Sequence, residues 1–451
     1  MPITKKFDLI VIGTGSAAST VAYKCRSEGW EVAVIDSRPF GGTCALRGCD
    51  PKKVLVGAAE LIDWNNRMQG KGISSNGIQI NWSDLMRFKK TFTEPVPENR
   101  EKGFTKAGIA TYHGRARFVS SDTVKVGDDT LTGRYMLVAS GAKPVRLNIS
   151  GEEHLTTSDR FLELEVLPKN IIFVGGGYIS FEFAHIAARA GAKVKILHRS
   201  DRPLAGFDPD LVNRLVEATR QIGVDIHLNA AVKSIEKKGE QLIVHTSGQS
   251  KPVVSADMVV HGAGRVPEID DLDLEKANIK REKKGVSVND YFQSVSNPIV
   301  FAAGDAAASG GPPLTPVASM EGHIVASNLL KGPHRKADYS GIPTVVYTVP
   351  PLASVGLQEE TAKKQGYSFK TNHMDTSGWY SSRRVNIESS GFKVLVEDGS
   401  DNILGAHIYG PHAEEIINIF GIAIRSGLNA EELKLMPYSY PTSSSDISYM
   451  V

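Results

Sequence analysis

The feature that most narrows the fold is a motif written twice. Near the start, the almost wholly apolar run Phe7 to Gly13 leads into Gly13-Thr14-Gly15-Ser16-Ala17-Ala18. Far along the chain, Asn170 to Val174 leads into Gly175-Gly176-Gly177-Tyr178-Ile179-Ser180. A short continuous apolar run reads as a strand of a parallel sheet covered on both faces. The glycines permit a tight turn and close approach of a pyrophosphate to the next helix, whose N-terminal backbone donors and dipole favour a phosphate. One such turn is a weak signal. Two in one chain form an internal repeat, and two dinucleotide sites are its economical explanation.

The residues after each turn differ. A second strand, Glu31 to Ile35, ends in Asp36, which is placed to accept hydrogen bonds from a ribose hydroxyl, although a plain surface aspartate would look the same. Strand Lys193 to Leu197 has no acidic residue at its end and runs into His198-Arg199-Ser200-Asp201-Arg202. There Arg199 and Arg202 suit a 2'-phosphate, which favours NADPH over NADH, while a solvated basic loop is the alternative. The expected helices run to about Gly29 and from Phe181 to Ala190.

Composition limits the rest. At 451 residues, 41% apolar and with 43 glycines, the chain is long enough for about three domains of soluble α/β architecture. Fifty-two basic and fifty acidic residues leave a net charge of +2, so no nucleic-acid surface is implied. No apolar run reaches about 18 residues, and no charged-then-apolar leader precedes the first strand, so we expect a cytoplasmic protein with no membrane segment.

Two of only three cysteines fall in Gly41-Gly42-Thr43-Cys44-Ala45-Leu46-Arg47-Gly48-Cys49-Asp50-Pro51-Lys52-Lys53. A thiolate near a helix N-terminus and a lysine has a lowered pKa, which makes it a nucleophile, and Pro51 suits an early helical position. A redox-active pair is the leading reading. A metal site and two structural cysteines stay open, although a zinc site needs about four ligands and no second cysteine pair is present. We expect no metal. Cys25, in the first helix, reads as a small core residue.

The cysteine run resembles the Gly-Gly-Thr-Cys-x-Asn-x-Gly-Cys-x-Pro-Lys-Lys signature of the flavin-dependent pyridine nucleotide-disulfide oxidoreductases, the group of glutathione reductase, dihydrolipoamide dehydrogenase and mercuric reductase. Leu46, Arg47 and Asp50 depart from it. Further motifs match in order: Ala139-Ser140-Gly141-Ala142-Lys143-Pro144, Gly264-Arg265-Val266-Pro267, and Ile299 to Asp305. The resemblance implies an α/β fold with two Rossmann-like dinucleotide-binding domains and a C-terminal α+β dimerisation domain. It divides the chain into 1–146 (FAD-binding, first part), 147–265 (NAD(P)H-binding), 266–335 (FAD/central, second part) and 336–451 (interface).

The same resemblance implies site residues. FAD would be held by Gly13, Gly15, Ser16, Ala17, Ala18, Asp36, Gly42, Thr43, Lys52, Ala116, Ser140, Gly141, Gly264, Asp305, Thr315 and Ala318. NADPH would be held by Gly175, Gly177, Tyr178, Ile179, Glu182, Arg199 and Arg202. Electrons would pass from NADPH through FAD to a Cys44-Cys49 disulfide, with Cys49 facing the flavin and Cys44 attacking the substrate. Lys52 and Glu182 match the family's ion pair beside the flavin, and Tyr178 its aromatic gate over the nicotinamide. The implied protein is a homodimer whose tail enters the partner's active site.

The tail departs from that pattern. Where disulfide reductases of the group carry His-Pro-Thr-x-x-Glu, this chain has Tyr440-Pro441-Thr442-Ser443-Ser444-Ser445 and then Asp446. Mercuric reductases also lack the histidine but carry a C-terminal cysteine pair, and no cysteine follows Cys49 here. His323 stands where the glutathione reductases have an arginine. The acceptor is therefore expected to be an unidentified small-molecule or small-protein disulfide or persulfide, with glutathione disulfide disfavoured. A metal ion or quinone is the second reading, and a non-catalytic redox sensor the third.

Along the chain we also expect strands at Tyr112 to Phe118, Thr123 to Leu131, Tyr135 onward, Met258 to Gly262, Pro343 to Val349, Phe392 to Val396 and Ile403 to Tyr409, a helix at Glu414 to Arg425, and helical periodicity over 54–105.

Overall fold

Strand β1 (Thr4–Ile12) and helix α1 (Ser16–Ser27) realise the first glycine turn. The structure, a computed structural model, describes residues 4–75, 77–247 and 253–451, and all statements of absence below concern these described residues. The chain forms two compact units: Met1–Lys52 with Arg87–Val145 and Arg265–Asp338, and Lys53–Met86 with Arg146–Gly264 and Tyr339–Val451.

In the first unit β1 lies between β2 (Val32–Asp36) and Asp129–Val138, parallel to both. Leu9, Ile10 and Val11 are fully buried, because the strand is covered on both faces and cannot alternate polar with apolar residues. Helix α1 covers one face with Ala17, Ala18, Val21, Ala22 and Cys25, packed on Leu9, Val11 and Val34. Cys25 is thus the core residue its sequence context suggests. Ala110–His113 extends the sheet beyond β2, and Val300–Ala302 pairs parallel with Met136 to Val138.

Two strand expectations change here. Tyr112 to Phe118 is two strands: Ala110–His113 joins the parallel sheet, while Ala116–Phe118 starts an antiparallel ribbon. Gly114 separates them at φ +144, a conformation L side chains rarely adopt. Thr123 to Leu131 is a hairpin that turns at Gly127 (φ +57), so Asp129–Val138 is a single ten-residue strand. The alternation of apolar residues runs on through so tight a turn, and sequence periodicity alone does not register it.

In the second unit, Asp225–His227, Lys193–Leu197, Asn170–Val174 and Met258–His261 form a four-stranded parallel sheet in that order. Helix Tyr178–Arg189 follows the second glycine turn. A three-stranded antiparallel sheet of Ala231–Lys238, Gln241–Ser247 and Val253–Ala256, absent from the expectations, completes this part. Residues 344–409 build a five-stranded antiparallel sheet, covered by helix Ala413–Ser426 through Ile416, Ile417 and Phe420.

Lys393, on a strand of that last sheet, is only 3% exposed and is ringed by Asp208, Asp210 and Glu359. Burial alone would lower its pKa, but the neighbouring carboxylates raise it, so it stays charged. No helix among the described residues is long and apolar enough to cross a membrane.

Candidate functional site

The two cysteines lie on consecutive helices, Cys44 in α2 (Gly42–Arg47) and Cys49 as the first residue of α3 (Cys49–Arg67). Both are free thiols, hydrogen-bonded to each other. Their titrations are driven apart. The bond from Cys44, the Thr315 hydroxyl and the Lys52 ammonium bring Cys49 down to about 6 against the opposing effect of burial. The same bond seen from Cys44, with burial and the charge of Asp50, pushes Cys44 well above the thiol range. Thr315 Oγ1 lies 3.6 Å from Cys49 Sγ, and Cys44 donates to Asp50 Oδ1, also at 3.6 Å. These neighbours favour the thiolate on Cys49 and the proton on Cys44.

The first glycine turn packs closely against the start of α2 in the first unit. A Cβ on Gly13 would stand 2.3 Å from Ala139 O, and one on Gly42 would stand 2.5 Å from the Cα of Gly15. Only bare backbone fits there. Gly15 caps α1 with no side-chain hydrogen bond, so Ser16, Ala17 and Ala18 open the helix with donors free of a capping side chain.

Thr14 Oγ1 donates to Asp36 Oδ2 at 2.6 Å and accepts from Gly41 N at 3.1 Å. The hydroxyl of Ser140 is buried without a partner, the kind of orphaned group a ligand satisfies. Asp305 is raised by burial, against the attraction of Arg265. Gly304 packs on Ala17 and Ala318. Ala116 is buried at the start of its strand, and Thr43 and Gly141 border the same unit's turns. These residues fit FAD.

The second glycine turn is as tight. A Cβ on Gly175 would lie 2.5 Å from Gly262 O, and one on Gly176 would meet the His198 ring at 2.7 Å. Gly177 caps helix Tyr178–Arg189 without a side-chain bond. Tyr178 is 49% exposed at its first position, Ile179 is partly buried beside it, and Gly264 takes φ +116.

The basic segment divides. Arg202 bends back to Ala205 O, whereas Arg199 is exposed, with no hydrogen bond or ion pair to the described residues, and its charge acts on His198. His198 turns its Nε2 to Arg202 O, and burial lowers its pKa. Glu182, 3% exposed, accepts from the backbone N–H of Tyr347 at 2.8 Å.

In the tail, Tyr440 is 81% exposed. Asp446 accepts from Ser381, and its carboxyl is raised by burial.

Within the first unit the structure thus brings Cys44, Cys49, Lys52 and Thr315 together. Glu182, Arg199 and Tyr440 belong to the second unit. Thr315, expected to contact the cofactor, also has its hydroxyl 3.6 Å from Cys49 Sγ. Thr14 was missed because the signature treats its position as variable, and the contact of Asp50 with Cys44 follows from a helix start that spacing alone does not fix.

Comparison with known proteins agrees with this construction. Residues 7–322 match the pyridine nucleotide-disulphide oxidoreductase family, and residues 342–451 match that family's dimerisation domain. The chain is 32% identical over 440 residues to a mercuric reductase of Lysinibacillus sphaericus, covering 96% of this chain and 80% of that one. It is 32% identical over 428 residues to a glutathione reductase of Burkholderia cepacia, covering 93% of each. Among solved structures, the Cu(II) complex of the HOCl-induced flavoprotein disulfide reductase RclA from Escherichia coli superposes with a TM-score of 0.89, at 26% identity and 99% coverage of both chains. The chain is an enzyme of the pyridine nucleotide-disulphide oxidoreductases, a family that works with FAD and NAD(P)H.

Proposed function

We propose that the enzyme takes electrons from NADPH and delivers them, through the Cys44–Cys49 pair, to a disulfide or persulfide acceptor. The observation that carries this reading is the placement of the two thiols on consecutive helices, with Thr315 Oγ1 3.6 Å from Cys49 Sγ and Asp50 Oδ1 3.6 Å from Cys44 Sγ. FAD, when bound, supplies the electron pair that opens the Cys44–Cys49 disulfide. The chain's own residues do the rest. Thr315 and Lys52 hold the negative charge on Cys49, and Cys44 keeps the proton until a substrate sulfur is attacked.

On this reading 1–146 with 266–335 binds FAD, 147–265 binds NADPH through the second glycine turn and Arg199, and 336–451 pairs two subunits. Lys52 and Glu182 are read as the ion pair beside the flavin, Tyr178 as the gate over the nicotinamide, and Tyr440 as a tail residue serving the partner. The reading implies a cytoplasmic homodimer.

Mercuric reductases among the relatives favour a second reading, in which the pair passes electrons to a soft metal ion. Anaerobic titration tests the first. About two electron pairs should be taken up per subunit, and Cys44→Ser should abolish turnover of a disulfide acceptor. Undiminished turnover in Cys44→Ser, with mercuric ion or a quinone as the better acceptor, would sink it.

A further inference from the structure

The proton on Cys44 has a second partner. Asp50, one residue beyond Cys49 in the first turn of α3, places its Oδ1 3.6 Å from Cys44 Sγ and is exposed to solvent. The groups facing Cys44 are the Cys49 thiolate and the Asp50 carboxylate from α3 and the Thr315 hydroxyl from helix Thr315–Lys331, with the Lys52 ammonium acting on Cys49. Of these, the Asp50 carboxylate can accept a proton and also exchange it with water. Where the resemblance places a histidine, the chain carries the phenol Tyr440, and Asp446 accepts from Ser381.

We infer that Asp50 is the proton-transfer group of this enzyme, holding the proton of the dithiol on Cys44 and passing it to the departing substrate sulfur. The inference rests on Cys44 being the attacking thiol, as proposed above.

The step balances as follows. Cys44 Sγ bonds to one sulfur of the substrate as the substrate S–S bond breaks, and the Cys44 proton passes through the Asp50 carboxylate to the departing sulfur, which leaves as a thiol. The Cys49 thiolate then displaces the second sulfur from Cys44 and re-forms the Cys44–Cys49 disulfide. That sulfur leaves as a thiolate and takes a proton from water. The dithiol loses two electrons, the substrate gains two, and NADPH restores the pair through the family's cofactors.

A carboxylate in the first turn of a helix also stabilises that helix, so the test must separate the two roles. Two probes do so: bis(2-hydroxyethyl) disulfide, whose leaving thiol is basic, and dithiobis(nitrobenzoate), whose leaving thiol is acidic and needs no proton. In Asp50→Asn, turnover of the first at neutral pH should fall by about 10²-fold, the low end of what positioned acid-base groups supply. Turnover of the second should hold or rise, and Asp50→Glu should recover most of the loss. Independently of the flavin, the pH midpoint for alkylation of Cys44 in the chemically reduced protein, read by mass spectrometry, should move down by about one unit once the facing negative charge is gone.

Equal loss on both probes, or an unmoved alkylation midpoint, overturns the assignment to Asp50. Cys44→Ser distinguishes failure of the parent reading: if it still reduces both disulfides, Cys44 is not the attacking thiol and the role of Asp50 falls with it.

Discussion

Cys49 and Thr315 are each the first residue of a helix, and their side chains meet, Sγ to Oγ1, at 3.6 Å. The Thr315 hydroxyl thus joins the Cys44 bond and the Lys52 ammonium in favouring the thiolate on Cys49. A hydrogen bond to a charged group contributes roughly 1.5 to 3 kcal/mol, or about one to two pKa units. Thr315→Val should therefore move the Cys49 midpoint from about 6 toward the ordinary thiol value, while Thr315→Ser keeps it low. The sign is that of a stabilised anion: above the midpoint the sulfur is charged, and the variant delays that charge to higher pH. Ultraviolet absorbance of the thiolate in the reduced protein reads it, with one thiolate appearing near pH 6 and the second well above neutrality in the wild type. An unshifted midpoint in Thr315→Val would show that Lys52 and the Cys44 bond suffice.

Arg199 is the free cation of the second glycine turn, since Arg202 is engaged with Ala205 O. A charge-assisted contact to a 2'-phosphate at 1.5 to 3 kcal/mol gives a preference of about tenfold or more. Arg199→Ala should lose most of the preference for NADPH over NADH in kcat/KM, and Arg202→Ala much less. Equal use of both cofactors by the wild type would remove the assignment.

Lys393 sits among three carboxylates, one of them, Asp208, wholly buried and capping helix Pro209–Gln221. Breaking a buried pair from one side leaves an uncompensated charge, at a cost of about 3 to 5 kcal/mol. Lys393→Met should lose that much in urea unfolding, and adding Asp208→Asn should restore part of it. A loss under about 1 kcal/mol would mean that water reaches Asp208.

Tyr440 stands where the resemblance puts the histidine of the disulfide reductases, and a phenol is a weaker proton relay than an imidazole. Glutathione disulfide should therefore be reduced at least about 10²-fold more slowly than by a histidine-bearing relative, and Tyr440→His should narrow the gap. If the wild type is already fast, or if neither Tyr440→His nor Tyr440→Phe alters turnover with any acceptor, Tyr440 has no part in the chemistry.

The sequence showed the fold wherever one apolar run made one element. Asn170–Val174, Lys193–Leu197 and Ile403–Tyr409 fall where periodicity places them. It failed where a turn hides inside an alternating pattern, as at Gly114 and Gly127, and where strand Ala231–Lys238 carries charged, half-exposed residues such as Glu236 and Lys237 that dilute the strand signal. The cysteine pair was visible because its residue types are rare and closely spaced. Thr315, far along the chain from Cys49, was readable only as part of a cofactor motif, because nothing in a sequence reports which distant side chain folding brings to a hydroxyl. Asp50 stood out as a departure, but its target depended on α3 beginning at Cys49.

Thr14 carries a consequence for how this enzyme tolerates change. One hydroxyl joins the glycine turn, the end of β2 and the entry to α2, through Asp36 and Gly41. The end of β2 and the entry to the cysteine helix therefore share a fastening, and displacement at one end is transmitted to the other instead of being absorbed in a loop. Such a joint is stiff and also brittle: serine can take its place, but valine, of the same shape without the hydroxyl, would let both ends drift together.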